Sequence, residues 1–403
     1  MDKLNYRNKQ SAASSALGYL YQVRYTLFES LNRLRHFQEF SVFIETLDDV
    51  VFDEVGEAPE LFQTKHHLSR PADLTDGSSD LWKTIFNWCE AIRTCSIPSG
   101  TLFFLVTTSE SVDGSVAHYL KIGSSRNPDR AMQHLNSIAE TSTNQTNGPA
   151  YQAYRSLDLK QRRQLIEYIF IVDSAPNIQD LDQALKEMVY GFAPTQFIES
   201  FQQRLEGWWY RRVITHLFKK TVSPILSEEI ETETALLREQ FKQENLPIDD
   251  DIMSASIDAS GYQDCIFVHQ LKLIEIGNPR ILYAIKNYFR AFEQRSRWIR
   301  EDLLLVGELE NYEDRLIEEW DLYFQQMIDE LGVNASEKAK KVAAQIVYKW
   351  VETALHPQIR PGVIEPSISR GTYQILSNSQ RVGWHIEFKE RLRKLLETQE
   401  ATL

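Results

Sequence analysis

The chain of 403 residues is acidic, with 57 Asp and Glu residues against 44 Lys and Arg residues and a formal net charge of −13. Hydrophobic residues make up 42% and charged residues 25%, a globular composition whose length predicts two or three domains. No apolar run reaches the roughly 18 residues of a membrane span, and no signal-peptide pattern is present, so we expect a cytoplasmic protein with no membrane partner. Cys89, Cys95 and Cys265 lack CxxC spacing, which argues against disulfides and structural zinc.

Basic and acidic residues are unevenly distributed along the chain. Residues 1–110 carry 10 basic and 15 acidic side chains, whereas residues 121–220 carry 13 basic and 10 acidic side chains. Proteins contact phosphate groups with Lys and Arg, and they bind Mg²⁺ and Ca²⁺ with carboxylates. We therefore expect any phosphate-facing surface in the middle of the chain and a metal site in the acidic first segment.

The first segment alternates between helical and extended patterns. Apolar residues at three- and four-residue spacing predict an amphipathic helix over residues 11–37. Three short stretches rich in Val, Ile and Phe then predict a meander of strands: "EFSVFIETL" at 39–47, "DDVVFDE" at 48–54 and "ELFQTKHH" at 60–67. A helix at 80–97 and a buried strand at 101–109 follow, and a later strand at 168–173 can join the same sheet.

The rest of the chain has mainly helical spacing. A helix at about 195–221 carries the basic residues Arg204, Arg211, Arg212, Lys219 and Lys220, which we interpret as a solvated face rather than a nucleic-acid contact. Residues 223–257 predict an acidic helix followed by a linker. The third part, 258–403, predicts a helical domain with long helices at about 279–304 and 336–355 and an extended loop at 356–371.

Apolar positions in the two long helices predict which faces are buried. The first helix is expected to align Ile281, Ile285, Tyr288, Phe289 and Phe292 on one face. The second is expected to bury Val342, Ile346, Val347 and Trp350.

A candidate catalytic site lies in the predicted second and third strands. Alternation along "ELFQTKHH" puts Gln63 and Lys65 on one face, and the strand connection can bring Asp49 beside them. Asp49 and the Gln63 side-chain oxygen can hold Mg²⁺, while Lys65 can orient water or stabilise charge on a phosphate. The alternative is a solvated strand edge. His66 and His67 point to opposite faces of a strand, which argues against a shared zinc ion.

The helix that follows these strands supplies three further candidates. We expect Trp82 and Trp88 in the core and Lys83 in solvent, although Lys83 could also touch phosphate.

The order helix, meander, helix, strand resembles the core of the PD-(D/E)XK restriction-endonuclease superfamily, in the subgroup that has QxK at the catalytic strand. The strings "GYLYQ", "FIETLDDVVF", "LFQTKHH" and "LWKTIFNW" resemble the nuclease domain of the CD-NTase-associated DNA endonucleases of CBASS defence, over about residues 11–110. The resemblance implies cleavage of double-stranded DNA with Mg²⁺, or alternatively Mn²⁺, by Asp49, Gln63 and Lys65.

Gln63 stands where many members of that superfamily have Glu, which leaves the metal one carboxylate fewer. Asp48 or Glu45 is expected to compensate, and the Asp48–Asp49 pair leaves open which carboxylate is the principal ligand. Gln22, on the first helix, can reach the site as helix residues do in related nucleases, or it is a surface residue.

The last domain resembles a second family. The strings "NYFRAFEQRSRWIRE" at 287–301, "ENYEDRLIEEW" at 310–320 and "VGWHIEFKERL" at 382–392 resemble the C-terminal domain of effector subunits in ABC-three-component systems. This implies an SMC-like ABC ATPase subunit and a small accessory subunit as partners, as in Lamassu-type defence. Trp298, Trp320 and Trp384 are expected in the core, with Arg295, Arg297 and Arg300 facing a partner.

Together these patterns predict an α/β (α+β) restriction-endonuclease-like domain at 1–222 and a mainly α-helical domain at 258–403. The function they predict is a DNA endonuclease effector, held inactive by the ATPase complex and activated by release and self-association into a homo-oligomer. The alternative is a non-catalytic DNA-binding or scaffolding subunit. A nucleotide-binding enzyme is disfavoured because no glycine-rich phosphate loop is present.

Overall fold

The computed structural model describes residues 4–36, 39–66, 73–218, 223–332 and 334–400. Three residues of the sequence predictions, His67, Lys219 and Lys220, lie outside these ranges. The chain divides into two compact units, Met1–Leu237 and Arg238–Leu403. None of the helices in the described ranges combines the length and apolar character that crossing a membrane requires.

The first unit combines helices with short strands. Its helices are α1 (Leu4–Arg35), α2 (Ser79–Arg93), α3 (Val116–Leu120), α4 (Pro128–Thr141), α5 (Gly148–Ser156), α6 (Leu159–Tyr168), α7 (Asp180–Met188), α8 (Ile198–Phe218) and the greater part of α9 (Ser227–Gln240). Its strands are β1 (Phe40–Ile44), β2 (Val50–Glu54), β3 (Glu60–Lys65), β4 (Asp73–Leu74), β5 (Leu102–Thr107), β6 (Glu110–Ser111), β7 (Ile169–Val172) and β8 (Ile225–Leu226).

Six of these strands form one sheet in the order β7-β5-β3-β2-β1-β8, and β4 pairs with β6 separately. β1, β2 and β3 are antiparallel neighbours, which confirms the predicted meander. β5 runs parallel to β3, and β7 runs parallel to β5, so the late strand does rejoin the sheet. The catalytic strand of the sequence hypothesis, β3, therefore lies in the interior of the sheet.

Both faces of β3 are covered by helices. Leu61 contributes to the core on the α2 side, where the Trp88 ring lies 5.1 Å from Phe103. On the opposite face Phe62 stacks on Phe104 at 4.6 Å, and the Arg33 guanidinium of α1 lies over Phe52. Because both faces are filled, the polar residues at the end of β3 are held on a rigid support.

The second unit is helical. Its helices are α10 (Asp250–Met253), α11 (Ile266–Leu273), α12 (Asn278–Arg300), α13 (Glu308–Leu331), α14 (Glu337–Thr353), α15 (Pro366–Asn378) and α16 (Phe388–Glu400). α12 and α14 agree with the two predicted long helices. Trp298, Trp320 and Trp384 are all buried, as expected.

The predicted extended loop at 356–371 is wrong in its second half, because α15 begins at Pro366. Proline is compatible with the first turn of a helix, and the Glu365 side chain caps this turn by accepting from Ser367 N at 3.1 Å. α15 packs so closely on α12 that a Cβ at Gly371 would lie 2.0 Å from the Asn287 carbonyl oxygen. The glycine thus serves helix packing rather than a loop.

Several predicted side-chain environments are also wrong. Arg295 is buried in an ion pair with Glu313 instead of facing a partner. Arg297 is partly exposed and binds Asp251, and Arg300 is exposed, so a partner-facing role for these two stays a prediction. Val342 and Ile346 were expected to be buried but are 47% and 54% exposed, and Phe292 on the predicted apolar face is 48% exposed. Helical spacing marks an apolar face, but it does not show how far the neighbouring helix covers that face.

The segment predicted to be a linker packs within the second unit. Trp298 Nε1 donates to the Pro247 carbonyl at 2.7 Å, and Gln294 Nε2 donates to the same oxygen at 3.1 Å. The Gln294 side chain also contacts Asp249. Gln294 Oε1 accepts from the Asp249 backbone N at 2.9 Å, and Gln294 Nε2 donates to the Asp249 carboxylate at 2.8 Å. These contacts extend the second unit towards the N-terminus beyond the predicted boundary at 258.

Candidate functional site

The candidate site lies where the loop between β1 and β2 meets the second half of β3. Glu45 has a positive φ of 55°, and its backbone N donates to the Asp49 carbonyl at 3.0 Å, which closes the loop before β2. Val50 pairs with Phe62 in the antiparallel register. Continuing that register by one residue brings Asp49 beside Gln63, as the sequence predicts.

The Asp49 carboxylate is fixed to β3 by Thr64. Its Oδ2 accepts from Thr64 N at 2.8 Å and from Thr64 Oγ1 at 3.1 Å. These two donors hold the side chain at the edge of β3 and leave the lone pairs of Oδ1 for another ligand. A carboxylate that is oriented by hydrogen bonds is typical of metal sites.

Gln22 reaches the site from α1, and it is buried rather than on the surface. Its Nε2 donates to the Asp49 carbonyl at 2.6 Å and to Glu45 Oε1 at 3.1 Å. Gln22 therefore stabilises the loop and orients Glu45.

Gln63 and Lys65 occupy one face of β3 by alternation. Gln63 is buried, and its Oε1 accepts from Asn87 Nδ2 on α2 at 3.3 Å. Lys65 ends the strand opposite Thr107 of β5 and is partly exposed. Its charge lies close enough to Asp48 to favour the ionised carboxylate.

Asp48 lies on the α2 side of the loop. Its Oδ2 accepts from Trp88 Nε1 at 2.9 Å, and its Oδ1 accepts from Asp49 N at 3.1 Å. Burial raises the pKa of Asp48 to about 6, and the neighbouring Asp49 charge adds to the rise, while Trp88 and Lys65 oppose it. Asp48 thus changes charge near neutral pH.

Three residues that complete the site were not identified from the sequence. Thr64 and Asn87 carried no motif signal, and Trp88 was assigned only to the core. The string "LWKTIFNW" could have indicated them. It predicts a helix that packs on β3, and such a helix must direct some of its side chains towards the polar end of that strand. Lys83, one turn before Asn87, is exposed.

His66 turns away from the Gln63 face. Its ring stacks on Tyr21 of α1 at 4.6 Å, and its Nε2 accepts from Ile178 N at 3.2 Å. Its contacts therefore join β3 to α1 and to the segment before α7.

The basic helix α8 is engaged with acidic and backbone groups. Arg212 donates to both oxygens of Glu229 at 2.6 and 2.9 Å, and the buried Trp209 donates to the Val23 carbonyl at 2.8 Å. These contacts agree with a packing role for this face of α8.

The grouped side chains offer oxygen ligands from Asp49, Asp48, Glu45 and Gln63. Carboxylate and amide oxygens are the ligands that Mg²⁺ and Mn²⁺ prefer, so this donor set fits such an ion. The adjacent ammonium of Lys65 suits a site that also receives a phosphate. Among the described residues, the carboxylates of Glu45, Asp48 and Asp49 do not form a group whose ligand atoms all lie within 4.8 Å of one another, so a shared cation would have to draw these ligands together.

A second cluster, in the second unit, is neutralised by its own cations. Ligand atoms of Glu337, His385 and Glu387 lie within 4.8 Å of one another. Arg391 donates to Glu337 at 2.6 Å and to Glu387 at 2.7 Å, while Lys340 also binds Glu387. Lys340 and Arg391 lower the pKa of Glu387 to about 2. Two cations already balance the two carboxylates, so the cluster links α14 to α16 electrostatically.

Residues 267–392 match the model of C-terminal domain 7 of the ABC-three component (ABC-3C) systems. The match lies inside the second unit. A search of curated protein sequences gives no match.

Solved structures show a distant likeness to Cap4 SAVED/CARF-domain containing receptors. For the Acinetobacter baumannii receptor with the cyclic trinucleotide 3'3'3'-cAAA, the identity is 14% and the TM-score 0.32, covering 61% of this chain and 53% of that chain. For the Moraxella osloensis receptor, the identity is 14% and the TM-score is 0.34, and the alignment covers 69% of this chain and 68% of that chain. This chain spans only 53% to 61% of the length of the A. baumannii receptor chains, and so distant a likeness carries no functional argument.

Proposed function

We propose that this protein is a metal-dependent DNA endonuclease that acts as the effector of an ABC-three component defence complex. The observation that carries the proposal is the grouping of Asp48, Asp49, Gln63 and Lys65, with the Asp49 carboxylate tied to the strand that bears Gln63 and Lys65. Oxygen ligands beside an ammonium suit hydrolysis of a phosphodiester.

Each residue has a distinct role in this proposal. Asp49 Oδ1 and Gln63 Oε1 are the principal metal ligands, and Asp48 and Glu45 supply the negative charge that an amide at position 63 lacks. A bound Mg²⁺ or Mn²⁺ would polarise the phosphate and acidify a bound water. Lys65 binds a non-bridging phosphate oxygen and stabilises the charge that develops there.

The second unit supplies the connection to the partners. Its match to an ABC-three component domain supports a complex with other subunits of such a system. We propose that an SMC-like ABC ATPase subunit and a small accessory subunit bind this unit and keep the effector inactive until foreign DNA is sensed.

Release then permits self-association of the nuclease units. One set of Asp49, Gln63 and Lys65 cuts one strand, so a double-strand break requires two sites or two visits. The net charge of −13 also makes a single subunit a poor ligand for DNA, whereas several copies join their more basic middle segments.

The decisive experiment is plasmid cleavage by the purified full chain with Mg²⁺, with Mn²⁺ and with EDTA. We expect nicked and linear DNA with either metal and none with EDTA. Intact plasmid under all conditions, across protein concentrations and after removal of co-purifying subunits, would contradict the nuclease and favour the scaffolding alternative.

Control by partners and self-association is tested separately. We expect residues 238–403 to retain the ATPase subunit in a pull-down. Mass photometry should show oligomers of the separated effector, and its specific activity should rise with concentration. A monomer with concentration-independent activity would exclude the assembly step but not the cleavage chemistry.

A further inference from the structure

Two consecutive residues of α2 each hold one oxygen of the candidate site. Asn87 Nδ2 donates to Gln63 Oε1 at 3.3 Å, and Trp88 Nε1 donates to Asp48 Oδ2 at 2.9 Å. Gln63 belongs to β3 and Asp48 to the loop before β2, so one helix restrains oxygens from two different segments.

The Trp88 donor has little freedom to move. The side chain is 1% exposed and belongs to the core cluster, with its ring 5.1 Å from Phe103 of β5. An indole N–H has a single direction, and a buried ring in a dense core keeps that direction fixed. Trp88 therefore acts as a rigid hydrogen-bond donor for the Asp48 carboxylate.

This donor acts where two adjacent carboxylates repel each other. Asp48 and Asp49 are neighbours in the chain, and burial of Asp48 disfavours its ionised form. A hydrogen bond to the ionised carboxylate opposes both effects. Asp48 Oδ1 in turn accepts from Asp49 N, so the orientation of Asp48 also fixes the backbone that presents Asp49.

Asn87 restrains Gln63 in a different way. A glutamine side chain has three rotatable bonds and can present either its oxygen or its amide nitrogen. Asn87 Nδ2 donates to this oxygen, and a carbonyl oxygen keeps a second lone pair for a cation. Asn87 thus holds the Gln63 side chain through the oxygen that a metal ligand needs.

We infer that Trp88 and Asn87 are positioning residues: Trp88 holds the Asp48 carboxylate in place, and Asn87 holds the Gln63 side chain through its oxygen. This inference rests on the proposed metal site and deepens it. Neither residue contacts the metal or the substrate, and both act through the side chains that they hold.

The test is Mn²⁺ binding by the full chain at pH 8, followed by electron paramagnetic resonance of free and bound Mn²⁺. Trp88→Phe keeps the ring in the core but removes the donor. We expect its Mn²⁺ dissociation constant to rise about tenfold, within the range for residues that orient metal ligands, and the spectrum of the bound ion to change.

Trp82→Phe is the matched control. Trp82 is also buried in α2, and its Nε1 donates to the Asp76 carbonyl at 2.7 Å, outside the site. A merely structural role for Trp88 would give the two variants the same Mn²⁺ dissociation constant and the same spectrum of the bound ion, and that result would overturn the inference. Thermal unfolding of both variants shows whether either has lost its fold.

Asp48→Asn tests the same point without changing the core. We expect it to weaken Mn²⁺ binding about as much as Trp88→Phe does, and the double variant to weaken it no further, because Trp88 acts through Asp48. Additive losses would overturn the inference, and so would wild-type affinity in Asp48→Asn even if Trp88→Phe does not fold.

Asn87→Ala tests the second contact. We expect its Mn²⁺ dissociation constant at pH 8 to rise about tenfold, within the range for residues that orient metal ligands. Glu90→Ala, one turn later and paired with Arg93, should leave binding unaltered. Wild-type affinity in Asn87→Ala would overturn its positioning role.

The experiment also separates this inference from the proposed function. Saturable Mn²⁺ binding by the wild type that is lost in Asp49→Asn supports the metal site. Its absence in the wild type would overturn the proposed function together with the inference. Saturable binding by the wild type with an unchanged dissociation constant in Trp88→Phe would overturn the inference alone.

Discussion

The candidate site and the second unit use charged residues in different ways. In the second unit, Arg360 donates to both oxygens of Glu308 at 2.7 and 2.8 Å, and the buried Arg295 and the exposed Arg381 share Glu313. Near the end of β3 in the first unit, neutral donors hold Asp48, Asp49, Glu45 and the Gln63 oxygen, and Lys65 lies near Asp48. The first unit also pairs a buried cation, Arg33, with Glu29, Glu54 and Glu60, so the contrast concerns the candidate site rather than the whole unit.

This difference indicates where chemistry and where structure reside. A paired buried charge is costly to break and contributes geometry rather than reactivity. An unbalanced set of ligands, held in place by neutral donors such as Trp88 and Thr64, can bind a cation without first losing an ion pair. Changes at the two places should therefore affect different measurements.

The largest effect is expected from Lys65→Ala. Loss of the ammonium removes the group that stabilises charge on the phosphate, and plasmid cleavage should fall about 10²- to 10³-fold. Thermal unfolding should be almost unchanged, since Lys65 is partly exposed. Lys338→Ala, at an exposed lysine on α14 of the second unit, is the control and should cleave normally. Normal cleavage by Lys65→Ala would show that the site lies elsewhere.

Asp49→Asn and Asp48→Asn should separate the two carboxylates. Asp49 carries the oxygen that is available to a metal, so its replacement should weaken Mn²⁺ binding by at least about a hundredfold, whereas Asp48→Asn should weaken it about tenfold. Isothermal titration at pH 8 measures both. A larger loss of Mn²⁺ affinity in Asp48→Asn than in Asp49→Asn would make Asp48 the principal ligand and give Asp49 only a structural role beside β3.

Gly371→Ala probes the second unit. The added Cβ would meet the Asn287 carbonyl at 2.0 Å and the Ala291 Cβ at 2.5 Å, so α15 must move away from α12. We expect a loss of about 1–3 kcal/mol in the free energy of unfolding of this unit, measured with urea. Gly261→Ala has no atom within 4 Å of its new Cβ and serves as the control. The Mn²⁺ affinity of the site in the first unit should not change. A loss of Mn²⁺ affinity in Gly371→Ala would contradict the separate roles of the two units.

The smallest effect is the pH dependence of metal affinity. The pKa of Asp48 is raised to about 6, so the carboxyl gains its charge only as pH rises through that value. Lowering the pH from 7 to 5 returns the proton and removes one negative charge from the site. We expect Mn²⁺ affinity to fall by up to about tenfold over this interval. A flat profile between pH 5 and pH 7 would remove Asp48 from the site.

The sequence alone determined the elements with strong periodicity. Alternation defined β3 and placed Gln63 with Lys65, and the turn chemistry around it predicted the antiparallel meander. Three- and four-residue spacing located α12 and α14 to within a few residues. These features depend on interactions between residues that are close in the chain, which is why a local pattern predicts them.

Only the tertiary structure decided which side chains meet across the chain. Asp48 and Trp88 are 40 residues apart, and Gln63 and Asn87 are 24 apart. Whether they meet depends on how α2 lies on the sheet, and the local pattern of neither partner encodes that packing. The same reason explains the burial of Arg295 beside Glu313 and the helix at Pro366–Asn378, which is stabilised by close packing of Gly371 on α12. Contacts between distant segments depend on the packing of the whole unit, and they complete a site whose strand the sequence had already located.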